Sequence, residues 1–414
     1  MNKKILTGQA VILAAGKGVR FNPLTRTRPK PFLKIADKTV LEHNLDQLNN
    51  LIGEVILVVG YKGETIKSAL GSQYKNIKIK YVLQEVQQGT GDAAKKALPF
   101  LKDRFLLLNG DDIYDKEDIR KCLAKYPCML LAEAKDASNF GAVALRKHLV
   151  AGIIEKPKES AGHLINTGLY FLPRTVFNPK IEKSARGEYE FTDYINKFAK
   201  NEELHWVASR HWYPLSYPWN LLDVSGFLLG RAKVVSKKKS GKIYQIKGKV
   251  IIEKGATIKG GSCLEGPIYI GKGSVVGPNC FIKGPVSIGS DCEIGQAVEI
   301  KNSIIGDKSK IFQSSHVSDS IIGNHCVLGV STVIANFRFD GKTIKVATNG
   351  KVIDTKKEEF GAILGDNAKI GVNSSLMPGV VIGERAIVGP HSLVTENVPD
   401  DTVFFSKAEK VFKN

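Results

Sequence analysis

Residues 11–34 read VILAAGKGVRFNPLTRTRPKPFLK, and the order of residue types in that string decides the first half of the fold. Val11, Ile12 and Leu13 make an unbroken apolar run, as in a strand covered on both faces. Ala14-Ala15-Gly16-Lys17-Gly18 then opens a turn whose backbone N–H groups can close on a phosphate without Cβ obstruction. Arg20 follows at once, and Lys30, held between Pro29 and Pro31, brings a second cation toward the same anion. A lone G-x-G is as often an ordinary β-turn. The whole string, from LAAGKG through Arg20 to PLT and PKP, is far more restrictive, and it suits nucleotide-phosphate chemistry.

Outward from this string, apolar strands alternate with amphipathic segments as far as about residue 230. Glu54–Val59 (EVILVV) and Phe105–Leu108 (FLLL) read as buried parallel strands, with Lys78–Leu83 a weaker third. Val40–Leu51 places Leu41, Leu45 and Leu48 on one helical face, and Gly63–Leu70 reads as a short helix. Such alternation predicts a doubly wound α/β layer. Ligands in these folds bind at the carboxyl ends of the strands, so the 14–20 loop and the loop after Leu108 share one rim.

From about residue 246 the rhythm becomes a period of six. Ile252, Ile258, Leu264, Ile270, Val276, Ile282, Ile288, Ile294 and Ile300 are successive aliphatic positions, and glycine follows many of them. The frame slips through Ile305, Ile311 and Val317, again through Ile322, Leu328 and Ile334, and resumes from Leu364 to Val394. A six-residue period fits a parallel β-helix with three short faces per coil, where an α-helix demands 3.6 and an ordinary strand 2. Ala335–Ile363 breaks the period, and long excursions from a solenoid are usually functional.

The chain has 414 residues, which favours two domains. The net charge of +19 is spread along the sequence without an RNA-binding aromatic signature, so nucleic acid is not the expected partner. The densest basic run, Ser236–Lys249, holds six lysines and no acid and reads as a solvated linker. Six cysteines without a C-x-x-C pair suit neither zinc nor a disulfide framework. No run of 18 apolar residues and no secretory h-region occur, so no membrane association and a cytoplasmic location are expected.

The 11–34 string resembles the signature of sugar-1-phosphate nucleotidylyltransferases, and the period of six resembles the left-handed β-helix of hexapeptide acyltransferases, which typically trimerise. The resemblance implies a Rossmann-like nucleotidyltransferase domain over 1–230, a basic linker over 231–248 and a left-handed β-helix over 249–414. Leu13, Ala14, Ala15, Gly16 and Gly18 would then line the nucleotide, with Arg20 and Lys30 on its phosphates. Leu83–Gly91 (LQEVQQGTG) resembles the family's base-reading loop, which assigns Gln84 to a uracil or thymine edge and Gly89 and Thr90 to base and ribose. Asn109-Gly110-Asp111-Asp112 resembles its metal site: Asp111 would hold Mg²⁺ with Asp112 in support, and Asp223 in YPWNLLDVSG is the second carboxylate, or else an N-cap. Gly141, Glu155, Lys156, Asn166 and Thr167 match the elements that hold the sugar phosphate.

The C-terminal half resembles that of bifunctional enzymes that acetylate an amino-sugar 1-phosphate and uridylylate the product. His316 would take the proton from the attacking amine, with Asn336, Lys342 and Lys345 beside it and acetyl-CoA as co-substrate. The segment after His316 is shorter than the family's and lacks its usual tyrosine. The implied function is transfer from UTP or dTTP to a sugar 1-phosphate, with pyrophosphate release, plus N-acetylation of glucosamine- or galactosamine-1-phosphate. The alternatives are a monofunctional nucleotidylyltransferase using a structural β-helix, with UTP, dTTP or GTP as donor, and a catalytically dead scaffold. The last would be expected to have lost Arg20, Lys30 or Asp111, and all three are present.

Overall fold

The computed structural model describes residues 7–134, 136–138, 140–157, 163–232 and 244–407. They fall into two compact units. The first holds the residues up to Lys17, Pro29–Phe32 and Thr39–Leu215, and the second holds Gly18–Arg28, Leu33–Lys38 and the chain from Ser216 onward. Among the described residues no helix is long and apolar enough to cross a membrane.

The first unit is built on a mixed sheet. Its main path runs Leu149–Glu155, Gly141–Arg146, Leu164–Pro173, Arg104–Asn109, Thr7–Ala14, Ile52–Val59, Ile77–Leu83 and Gln73–Tyr74. Arg104–Asn109, Thr7–Ala14, Ile52–Val59 and Ile77–Leu83 are parallel. The doubly wound expectation holds because alternate residues of one strand enter different cores. Ala10, Ile12 and Ala14 pack with Leu41, Leu45 and Leu48 of the Val40–Leu48 helix. Val11 and Leu13 pack on the other face with Ala93, Ala94, Phe191 and Ile195. The Val40 helix starts where expected because Thr39 and Glu42 form a reciprocal capping box, and it stops at Leu48, short of Leu51. The first strand sits between neighbours that lead in opposite directions, which opens a crevice at its carboxyl end.

The second unit is a solenoid of three parallel sheets with eight, seven and eight short strands. Gln245 lies over Cys263, Phe281 and Glu299 in steps of 18 residues. The steps from Glu299 to His316 and on to Val333 are one residue shorter, which is the frame slip visible in the sequence. Every aliphatic position of the period from Leu264 onward fills one continuous core. Its glycines serve the close stacking of coil corners: a Cβ on Gly271 would lie 2.4 Å from the carbonyl oxygen of Gly289. The excursion forms a hairpin of Lys345–Thr348 with Lys351–Asp354, anchored by buried Ile344, Val346 and Phe360. Most of the expected linker, 233–243, lies outside the described residues, and Gln245–Lys247 already forms a rung of the solenoid.

Candidate active sites

At the carboxyl end of the central strands, Leu13 stands opposite Asn109, and the Gly110 N–H donates to the Leu13 carbonyl at 2.8 Å. A Cβ on Gly110 would meet that carbonyl at 2.9 Å, so only glycine lets the loop turn this close to the first strand. The turn delivers Asp111 to the rim. Lys30, 8% exposed, places its Nζ 2.6 Å from Asp111 Oδ2. Sequence reading named both residues separately, and the fold brings them into contact.

Asp112 points the other way, into the unit. It accepts from Asn109 Nδ2 at 3.3 Å and from the Leu215 N–H at 3.3 Å. Burial, with the neighbouring Asp111 charge, pushes its carboxyl up to about 7 against the opposing pull of Lys30 and Asn109. Gly168 adopts φ +77° beneath this loop, where a Cβ would strike Asn109 Nδ2 at 2.2 Å. Among the described residues no group of three or more His, Cys, Asp or Glu is gathered for a metal. Mg²⁺ does not require one, because it keeps waters and takes one or two carboxylates plus substrate phosphates. The Lys30 ammonium already occupies one Asp111 oxygen, which marks that oxygen as a cation position.

Ala14 and Ala15 are buried at the crevice, whereas Gly16 is exposed and a Cβ there would meet nothing within 4 Å. Gln84 is buried, and its amide donates to Asp92 at 2.8 Å and to the Gly89 carbonyl at 3.2 Å. Gln87 of the same loop is less buried and lies beside Gly60 and Ala15. Thr90 opens the Thr90–Lys96 helix and caps the Phe191 N–H at 3.0 Å.

Three of the residues expected for nucleotidyl transfer, Gly18, Arg20 and Asp223, belong to the second unit. Gly18 adopts φ +63°, and the Arg20 guanidinium lies 5.6 Å from the Tyr217 ring centroid. Asp223 sits inside the first turn of the Asn220–Arg231 helix, whose N-cap is Trp219, so the N-cap alternative fails. Its carboxylate is paired with Lys357 of the excursion at 2.6 Å.

A Cβ on Gly141 would lie 3.2 Å from Glu155 Oε2 and 3.5 Å from the Asn166 Cβ, so these three are neighbours. Burial raises the Glu155 carboxyl, opposed by Arg186 and Lys156. Arg186, which sequence reading missed, pairs with Glu190 at 2.6 Å and stands 3.7 Å from Glu155. Lys156 holds φ +47°, a conformation that costs a lysine about 1 kcal/mol and so needs a local cause. Thr167 does not join this group. It is 1% exposed and its hydroxyl donates to the Leu130 carbonyl at 2.8 Å.

In the solenoid, His316 Nδ1 lies 3.4 Å from Glu299 Oε2, and His316 Nε2 lies 2.9 Å from Ser318 Oγ. Glu299 is the register partner one coil below. Asp319, buried with φ +49°, accepts from Asn302 at 2.5 Å and from Asn336 Nδ2 at 2.7 Å. Asn336 is thereby fixed, with its backbone carbonyl accepting the Phe360 N–H at 2.7 Å. Lys342 and Lys345 are exposed on the excursion, and no described contact joins either to His316. Sequence reading missed Glu299, Ser318 and Asp319, although stacking the coils EIK and HVS would have paired the first with His316.

Comparison with known proteins agrees with this division. The nucleotidyl transferase family matches residues 9–225, the GMPPB C-terminal domain residues 264–357, and six bacterial transferase hexapeptide repeats residues 361–396. A protein of Methanococcus maripaludis (strain C7) named bifunctional protein GlmU is 43% identical over 97% of this chain and 98% of its own. A protein of the same name from Methanocaldococcus jannaschii is 36% identical over 98% of this chain and 99% of its own. A bifunctional sugar-1-phosphate nucleotidylyltransferase/acetyltransferase of Sulfurisphaera tokodaii is 35% identical over 94% and 98%.

Proposed function

Since this chain belongs to the GlmU family of bifunctional nucleotidyl- and acetyltransferases, we propose a division of labour in which the rim around Lys30 and Asp111 transfers the nucleotide and His316 directs acetyl transfer. The observation that carries the proposal is the Lys30–Asp111 contact at the carboxyl end of the first strand. A monofunctional enzyme with an idle solenoid is disfavoured, because the bifunctional relatives are similar over the full length of the chain.

In nucleotidyl transfer, an oxygen of the sugar phosphate attacks the α-phosphorus in line and pyrophosphate leaves. Little covalent work falls to the protein, which must hold two anions together and offset their charge. Lys30 contacts phosphates near the α-position, and Arg20 neutralises the leaving pyrophosphate. Gly16 leaves room for the backbone to approach. Gln84, Gly89 and Thr90 line the base and ribose of UTP or dTTP. Glu155 and Asn166 read sugar hydroxyls, with Gly141 and Lys156 beside them. Asp111 would hold Mg²⁺ with Asp112 in support, and Asp223 would be the second carboxylate. When bound, Mg²⁺ would supply positive charge that offsets the charge of the phosphates.

In acetyl transfer, His316 accepts the proton of the glucosamine- or galactosamine-1-phosphate amine as nitrogen attacks the thioester carbonyl. The proton then passes to the departing coenzyme A thiolate. Glu299 faces Nδ1, so Nε2 takes the proton while the carboxylate offsets the charge of the imidazolium, and Asn336, held by Asp319, borders the site. The solenoid assembles the chain as a homotrimer, and the six free cysteines suit a cytoplasmic setting.

The test is a matrix of four nucleoside triphosphates against glucose-, N-acetylglucosamine- and mannose-1-phosphate, read as pyrophosphate release, with thiol release from acetyl-CoA and glucosamine-1-phosphate in parallel. Asp111→Ala is expected to abolish pyrophosphate release and to leave thiol release intact. Loss of both in a folded protein contradicts the two-site assignment.

A further inference from the structure

We infer that Asp366, a solenoid residue, is a positioning residue for nucleotidyl transfer, because it clamps the signature loop two residues ahead of Lys30. The inference rests on the proposal that Arg20 and Lys30 bind the triphosphate.

The second unit contains a column of short polar side chains, one per coil, at the residue after the corner: Ser290, Asp307, Asn324, Asp366, Glu384 and Asp400. The column is knitted by one oxygen of most members. Asp307 Oδ1 accepts the Ser290 N–H at 2.9 Å, Asn324 Oδ1 the Asp307 N–H at 3.0 Å, and Asp366 Oδ1 the Asn324 N–H at 2.8 Å. Asp400 Oδ1 takes the Glu384 N–H at 2.8 Å. The second oxygen of each aspartate is left for another partner.

Those partners come from the 18–38 stretch, whose sequence TRTRPKPFLK places cations at Arg26, Arg28 and Lys34. Arg26 Nε binds Asp400 Oδ2 at 2.8 Å, and Lys34 Nζ binds Asp307 Oδ2 at 2.7 Å. Between them, Asp366 Oδ2 accepts from the Thr27 hydroxyl at 2.6 Å and from the Arg28 guanidinium. The three contacts are unequal. The Arg26 and Lys34 side chains are half exposed and screened, whereas the side chains of Asp366 and Arg28 are 6% and 18% exposed. Asp366 is therefore the dominant clamp, and it carries two loop residues on one oxygen.

Asp366 uses different oxygens for the two roles, so its roles separate chemically. In Asp366→Asn the Oδ1 acceptor for the Asn324 N–H is retained and the coil ladder stays closed. The group facing Thr27 and Arg28 turns from an acceptor into a donor, and the clamp opens. The expected result in the full-length protein is a 10- to 100-fold rise, as order of magnitude, in KM for the nucleoside triphosphate. KM for the sugar phosphate and thiol release from acetyl-CoA are expected to stay within about twofold. Adding Arg28→Ala to Asp366→Asn should cost almost nothing more, because both remove one contact. Full nucleotidyl transfer by Asp366→Asn beside an active wild type overturns the inference alone, as does an equal loss of both activities with a lowered Tm. A wild type that releases no pyrophosphate with any nucleotide overturns the functional reading and this inference with it.

Discussion

Replacing Lys30 by methionine separates what the lysine does for the fold from what it does for the reaction. The side chain keeps its length and apolar stem and loses only the charge. At 2.6 Å the Lys30–Asp111 pair has a gross attraction of about 6 kcal/mol for an effective dielectric of about 20. Little of this survives as stability. Lys30 is 10% exposed as a side chain, so its ammonium has given up most of its water, while Asp111 at 40% remains screened by solvent. Methionine removes the attraction and the dehydration cost together, and Asp111 can recover water, so the expected stability change is within about 1 kcal/mol. Transfer has no such compensation. Charge on the phosphates loses a fixed cation in a sheltered crevice, and rates should fall about 10²- to 10³-fold, or roughly 3–4 kcal/mol. The assay is coupled pyrophosphate release at saturating substrates, with thermal unfolding and thiol release from acetyl-CoA as controls. Wild-type pyrophosphate release from a folded Lys30→Met protein would refute the assignment of Lys30, and with it the claim that the rim is defined by that contact.

Three further outcomes are expected. His316→Asn should lower thiol release by about 10²- to 10⁴-fold while pyrophosphate release is untouched; an unchanged thiol signal removes His316 from the chemistry. Glu299→Gln keeps the shape and loses the charge 3.4 Å from the imidazole, so acetyl-transfer kcat should drop about tenfold with KM for acetyl-CoA constant; a change confined to KM argues for a binding role. Asp112, raised from 3.8 to about 7, gives a pH dependence of definite sign. A raised carboxyl binds its proton more tightly in the folded state. Stability without metal should therefore decline as pH rises from about 4 to 7, and Mg²⁺, which competes with that proton, should bind about tenfold more weakly per pH unit below 7. Isothermal titration with Mg²⁺ at pH 6, 7 and 8 reads this, and a flat affinity excludes Asp112 from metal support.

Both rhythms of the chain were legible because each is enforced by covalent geometry repeated along the sequence. Continuous apolar runs such as EVILVV have to be covered twice, and Ile56 and Val58 do pack in one core while Val55 and Leu57 pack in the other. The period of six survives in the sequence because the Leu, Ile or Val at each position of the period from Leu264 to Val394 fills one continuous core. Individual site residues were legible only where a local string carries them. Lys30 and Asp111 each stand in such a string. Thr167 stood in one as well, but strand alternation turns it toward Leu130 while Asn166 faces Gly141 and Glu155.

What the strings could not show is pairing across the register. Glu299 reaches His316 because one coil is a residue shorter than the regular step, and Asp366 sits above Asn324 only because the 335–363 excursion leaves the stack and returns in frame. Neither distance in sequence is a motif length. The same holds for Arg28, whose partner lies 338 residues away. Of the four cations in TRTRPKPFLK, sequence reading gave a role to Lys30 alone and none to Arg26, Arg28 or Lys34. The structure divides them: Lys30 goes to Asp111, while Arg26, Arg28 and Lys34 are neutralised by solenoid aspartates. The column carboxylates hold their three cations in the second unit, whereas the partner of Lys30 is Asp111, the carboxylate at the end of the strands to which the proposed function assigns the metal. By that argument the solenoid takes three of the four cations of the run to secure the loop, and Lys30 is the one it leaves for the role proposed for it on the triphosphate.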